Sequence, residues 1–204
     1  QTLRKRRFKN GSVDFHVPEP DIQMDEEGKV NNIGVIQHNP AHQLIEEFML
    51  AANQAVALSL HEKDIPCIHR IHEAPDPMKL FEFKEFISSF GLRLSSPEKI
   101  RSKDLNNLLK KIQNSPEERV VNTLLLRTMK KARYSPSDPG HYCLGFPHYV
   151  HFTSPIRRYP DLIVHRIVKK YLKHKCTKKE KKALLSALHE ISEQSTQMEI
   201  KAMS

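Results

Sequence analysis

From residue 41 onward, apolar side chains recur at helical spacing in one block after another. That periodicity constrains the fold more than any other feature of the chain. Leu44, Ile45, Phe48, Ala51, Ala52, Ala55 and Val56 share one face at the 3.6-residue period, which predicts a helix with that face turned to the core. Asp76-Pro77 is a helix start, since Pro suits the first helical position and Asp accepts an end N–H. Leu80, Phe83, Phe86, Ile87 and Phe90 follow as a stripe that Gly91 stops. Ser102 is placed to cap a helix carrying Leu105, Leu108, Leu109 and Ile112. Ser115-Pro116-Glu117-Glu118 has the form of a capping box leading into VVNTLLLRTMKKARY. YSPSDPGH at 134–141 reads as a loop, and DLIVHRIVKKYL and KKEKKALLSALHEISEQSTQMEIKAMS read as two basic helices.

The first 40 residues follow a different rule and read as extended. SVDFHV at 12–17 alternates Val13, Phe15 and Val17 with small or polar residues, and Pro18 and Pro20 interrupt it. IQM, the turn DEEGK at 25–29 and VNNIGVI form a predicted β-hairpin. A strand segment over 1–40 followed by a mainly helical segment over 41–204 predicts an α+β fold, its helices packed on a sheet that draws further strands from upstream. The opening LRKRRFKNG has no initiator Met and the last helix reaches the end without a stop signal, so a piece of a longer protein is expected.

Composition narrows the class of partner. The formal net charge is +9, from 33 Lys+Arg against 24 Asp+Glu, which favours a polyanion. No apolar run approaches the roughly 20 residues that span a bilayer, so no membrane partner is expected. Cys67, Cys143 and Cys176 are scattered and odd in number, which suits a reducing, cytoplasmic setting.

The segment HFTSPIRRYPDLIVHR at 151–166 carries the densest chemistry. Thr153 or Ser154 is placed to cap a helix beginning at Pro155, whose free N–H groups would face outward at a positive dipole end. Arg157 and Arg158 fall in its first turn or so, and a guanidinium can hold two phosphate oxygens at once. Asp161 is spaced to orient either Arg, while Pro160 bends or restarts the helix. A capped surface helix with an ion pair has the same pattern.

This segment resembles the signature of the RNB catalytic domain of the ribonuclease II / ribonuclease R family. LRKRRFKNGSVDFHVPEP, HQLIEEFMLAANQAVA, IHRIHEAPDP, LLLRTMKKARYSP and GHYCLGFPHYVHFTSPIRRYPD follow one another in that family's order, so the resemblance covers nearly the whole chain and is closest to the ribonuclease R branch. It implies the C-terminal part of a catalytic domain that removes 5′-mononucleotides processively from the 3′ end of single-stranded RNA by metal-assisted hydrolysis. Arg157 resembles the family's phosphate clamp beside the scissile bond, with Ser154, Arg158 and Tyr159 around it as RNA contacts. Glu46 resembles a carboxylate that hydrogen-bonds ribose near the 3′ end, a means of telling RNA from DNA. Phe15 resembles the aromatic on which a base stacks, although strand alternation also admits Val13 or Asp14. Glu46 on the solvated face of its helix and Phe15 as an inward-facing strand residue are the structural alternatives.

The same resemblance implies Mg²⁺ held by an aspartate cluster. Nothing here matches that cluster, so its ligands are expected outside this chain, as are the flanking cold-shock and OB-type RNA-binding domains. A further family glutamate is expected just beyond Ser204. His141, Cys143, His148 and His151 fit no standard zinc spacing and read as structural. KKYLKHKCTKKEKK at 169–182 reads as a solvated linker that helps to draw RNA. Three functions follow: part of an exoribonuclease, a catalytically inactive RNB-like RNA-binding protein, or a helical interaction module.

Overall fold

The computed structural model describes residues 2–13, 15, 20–35, 39–94 and 100–203. The cationic opening forms a helix, α1 (Thr2–Lys9), where an extended lead was expected. Clustered like charges oppose it locally, and a tertiary pair stabilises it. The buried Arg7 guanidinium donates from Nε and Nη2 to Glu47 Oε1 at 3.1 and 2.6 Å, and from Nη1 to Ser12 Oγ at 2.9 Å. A buried guanidinium matched to a buried carboxylate holds its segment firmly, because removing either partner strands the other charge. Of the expected strand at 12–17, Ser12 and Val13 are buried outside any strand, with Val13 N donating to Cys143 O at 2.8 Å. Asp14, His16 and Val17 lie outside the described residues.

The hairpin forms as expected from β1 (Pro20–Met24) and β2 (Val30–Val35), antiparallel with Ile22 opposite Ile33. Asp25 Oδ1 closes its turn by accepting from Glu27 N and Lys29 N. A second small antiparallel sheet joins β3 (His69–Ile71) to β4 (Arg133–Ser135). The fold class is α+β, with seven helices among the described residues.

α2 (Pro40–Glu62) begins where Asn39 Oδ1 accepts from His42 N. Its inward side differs from the expected stripe. Leu44, Ile45 and Phe48 are more than half exposed, whereas Glu47, Asn53, Ala57 and Leu60 are buried. Periodicity finds an apolar face but not the surface that covers it. Here Arg7 and the 149–152 segment draw two polar side chains inward, and Leu44, Ile45 and Phe48 face out like Ile33 and Val35 of the hairpin, while Val56 packs against the core.

Asp76 caps α3 (Pro77–Ser88) as predicted, accepting from Met78 N at 2.8 Å. α4 (Ser102–Ile112) is capped by Asp104 Oδ2, which reaches back to Arg101 N, and not by Ser102. α5 (Glu118–Thr128) starts later than the capping-box reading requires. Glu118 Oε2 reaches back to Asn114 N at 2.7 Å, but Ser115 Oγ has no hydrogen-bond partner. The acidic residue still reaches back, but to Asn114 and not to the expected cap Ser115.

Two cores result. α3, α4 and α5 enclose Ile87, Leu105, Val121 and Leu125, all fully buried, and Phe15 packs against them. The other core sets Ala57 of α2 and Ile68 against Tyr134, Val150, Val164 of α6 (Tyr159–Tyr171) and Leu188 of α7 (Lys178–Met203). This second core carries the segment 149–158. No described helix is long and apolar enough to cross a membrane.

Candidate nucleic-acid cleft

Buried polar groups fix the segment 149–158 from three sides. Asn53, inside α2, donates from Nδ2 to Tyr149 Oη at 3.0 Å and accepts at Oδ1 from Phe152 N at 2.9 Å. His165 of α6 bonds the Phe152 carbonyl through Nε2 at 2.8 Å and stacks on its ring at 3.9 Å between centroids. Asp161, fully buried, accepts from Ser154 N at 2.8 Å and from Arg158 Nε and Nη2 at 2.9 and 2.8 Å. Each tie joins a loop atom to a helix, so the loop inherits the rigidity of the core.

The expected helix start at Pro155 is not found. Residues 155–157 form a turn closed by Arg157 N and Arg158 N on Ser154 O, and α6 begins at Tyr159 with Pro160 in its first turn. A helix running on from Pro155 would need an N–H at position 160 that proline lacks, so the helix restarts where no N–H is required. Asp161 lies in the first turn and fills the positive end of α6. The helix start is thus displaced from Pro155 to Tyr159, and Asp161 accepts from Ser154 N and the Arg158 guanidinium and not from the α6 amides.

What faces out is Arg157. It is exposed and makes no ion pair with a described residue, and Ile156 beside it is fully exposed. Arg158 turns its charge inward to Asp161. Arg70 from β3 does the same with Glu199 of α7, at 2.6 and 3.0 Å, its guanidinium 4.7 Å above the Tyr134 ring. Arg157, Arg158, Tyr159, Tyr134, Met198 and Glu199 line one cleft of about 760 Å³. Two of its three nearby guanidiniums are neutralised, and the third, Arg157, has no ion-pair partner among the described residues. Behind it, burial and then the Arg158 and Arg70 charges push His151 down to about 2, so it is neutral and meets Tyr134 Oη through Nδ1 at 3.0 Å.

The structure thus brings Arg157, Arg158 and Tyr159 together over Ser154. Glu46 and Phe15 are not among the residues lining the cleft. Glu46 is half-exposed on α2, 3.5 Å from Arg7, and Phe15 lies against the α3–α5 core. Arg70, Tyr134 and Glu199 were missed by sequence reasoning. Glu199 sits in a plain amphipathic helix, and only its pairing across 129 residues singles it out. His141, Cys143, His148 and His151 do not converge: His141 bonds Leu144 N, His151 bonds Tyr134 and His148 bonds Asp138.

Comparison with known proteins decides the family. The sequence profile of the RNB domain matches residues 1–174. The chain belongs to the RNB family. Among RNB proteins, ribonuclease R of Aquifex aeolicus is 42% identical over 171 residues, covering 84% of this chain and 24% of its own length. The apo form of Mycoplasma genitalium RNase R superposes with a TM-score of 0.91 at 31% identity, covering 98% of this chain and 32% of that one. Yeast Ssd1, a pseudonuclease, matches with a TM-score of 0.66 at 27% identity over 79% of this chain and 20% of its own. The chain therefore spans about a fifth to a third of the length of these RNB relatives.

Proposed function

We propose that this chain is part of an exoribonuclease that shortens single-stranded RNA from its 3′ end, releasing 5′-mononucleotides processively, and that Arg157 grips the phosphate at the cleaved bond. The observation that carries this reading is the Arg157 guanidinium, exposed and without an ion-pair partner among the described residues, on a loop pinned by Asn53, His165 and Asp161. A fixed positive donor beside developing phosphorane charge stabilises the transition state more than the ground state. Arg158 and Ser154 position that loop through Asp161, and the half-exposed Tyr159 ring offers a face to the terminal nucleotide. Glu46 serves as a ribose contact near the 3′ end, and Phe15 as a base-stacking contact farther along the strand. Mycoplasma genitalium RNase R in complex with ribose-methylated single-stranded RNA superposes on the chain with a TM-score of 0.90, which supports this class of ligand.

The reaction calls for Mg²⁺, which supplies an activated water and steadies the leaving oxygen. The residues here do not fit that ion. Among the described residues the one convergent group of possible ligands holds two imidazoles and a single carboxylate, while Mg²⁺ takes oxygen. Its ligands are assigned to the remainder of the domain, with the flanking OB-type RNA-binding domains beyond it and the cytoplasm as the setting.

The test uses full-length protein and oligo(A) radiolabelled at every phosphate, with Mg²⁺. Wild type should release mononucleotides, and Arg157→Ala should lose about 10²–10³ in turnover at unchanged thermal stability. Undiminished degradation by the variant would overturn the role given to Arg157. The likeness to Ssd1 favours a second reading, RNA binding without cleavage. Salt-sensitive binding with no mononucleotide release by wild type would establish it.

A further inference from the structure

We propose that His61, Asp138 and His148 form a site for a divalent transition-metal ion, Zn²⁺ by the chemistry of its donors, tying the C-terminal end of α2 to the loop that feeds the cleft. One possible ligand atom from each of the three lies within 4.8 Å of the other two. They come from three places in the chain. His61 stands in the last turn of α2, Asp138 in the loop after β4, and His148 just ahead of the pinned segment 149–158.

The carboxylate is the centre of the group. Asp138 Oδ2 meets His148 Nδ1 at 2.6 Å and His69 Nδ1 at 3.5 Å. Its other oxygen, Oδ1, is buried without any hydrogen-bond partner. An ionised oxygen removed from water and left without a donor is unfavourable, and a cation satisfies it. The His61 and His148 rings stack at 3.8 Å between centroids, 23° apart. Protonating both would bring like charges into contact, whereas two neutral imidazoles keep lone pairs for a metal.

Two imidazole nitrogens and one carboxylate oxygen are a borderline donor set, which suits Zn²⁺ and its transition-metal neighbours and disfavours Mg²⁺. With ligand distances of about 2.0–2.1 Å, tetrahedral partners stand roughly 3.3–3.5 Å apart. The His148–Asp138 contact must therefore open slightly and the stacked rings rotate, with water in the fourth place. Buried His69 backs the carboxylate from behind and is itself 3.4 Å from Cys67 Sγ. This is the kind of outer contact that orients a ligand.

The experiment titrates full-length protein with Zn²⁺ against a colorimetric chelator, in excess Mg²⁺ to occupy oxygen-rich sites, and records the melting temperature alongside. Wild type should bind one Zn²⁺ that both His61→Ala and His148→Gln abolish, with a rise in melting temperature that neither variant shows. His61 is exposed, so its truncation leaves the fold intact by far-UV circular dichroism and decides the matter if His148→Gln fails to fold. Equal Zn²⁺ stoichiometry and affinity in His61→Ala, or no binding by wild type, would overturn the proposal and leave a stacked His pair hydrogen-bonded to Asp138.

Discussion

Asp161→Ala should be the most damaging single change near the cleft. The carboxylate is fully buried and accepts three hydrogen bonds, one from the Ser154 amide and two from Arg158. Removing it leaves a guanidinium with no counter-charge and an amide with no acceptor. Breaking a buried pair in this way costs about 3–5 kcal/mol. The Arg158 side chain is 22% exposed, so water recovers part of its solvation. The lower end, about 3 kcal/mol, applies, and for a chain of this size it corresponds to roughly 6–12 °C in melting temperature. Urea unfolding followed by circular dichroism measures the loss directly. Asp161→Asn, which keeps the shape and one acceptor oxygen, should fall between wild type and the Ala variant. A loss below about 1 kcal/mol for Asp161→Ala would refute the reasoning, since it would show that Arg158 and Ser154 find equivalent partners without it.

Other outcomes follow from the same structure. Asn53→Ala removes both a donor to Tyr149 and an acceptor for Phe152, and should cost about 2–3 kcal/mol in the same unfolding assay. Gly140 has φ +87°, and an added Cβ would stand 2.9 Å from Phe146 O, so Gly140→Ala should destabilise by about 2 kcal/mol, read as a lowered melting temperature. Acid should unfold the protein through its buried imidazoles. Burial pushes His141 down to about 3 and His151 to about 2, so between the ordinary histidine value and those values the unfolded chain binds more protons than the folded one. Stability from these groups is then complete above about pH 6.5 and falls toward pH 3, by about 1.4 kcal/mol per pH unit for each imidazole. His141→Gln should flatten that slope by about one proton in a pH series of unfolding curves, and an unchanged slope would contradict it.

How much of this was legible in the sequence depended on the range of the interaction involved. The Asp76 cap and the DEEGK turn are local, and each formed where expected; of the stripe on α3, Leu80, Phe83 and Ile87 are buried, whereas Phe86 and Phe90 are exposed. Arg7–Glu47 joins residues 40 apart, and no local pattern announces that a cationic run will become a helix by burying one of its charges. The stripe on α2 misled for the complementary reason. Its periodicity is real, but Glu47 and Asn53 were turned inward by partners distant in the chain. In the cleft, the prominence of Arg157 was readable from SPIRRYPD, whereas the division of labour between the two arginines was not. It is set by Asp161 taking both inner donors of Arg158. Arg70 and Glu199 left no trace at all, because a salt bridge over 129 residues has no spacing to recognise.

The anchoring of residues 152–158 by Asn53, His165 and Asp161 bears on how fast a nucleic acid would be captured. The conformational entropy of that loop is surrendered once, when the protein folds, and not again at each encounter. Association at Arg157 then has no loop-closing step to wait for, and its rate is governed by collision and by the pull of the surrounding positive charge. On the proposed function, a strand passing through the cleft would meet a loop backbone already held in place by Asn53, His165 and Asp161, with the Arg157 side chain alone free to adjust.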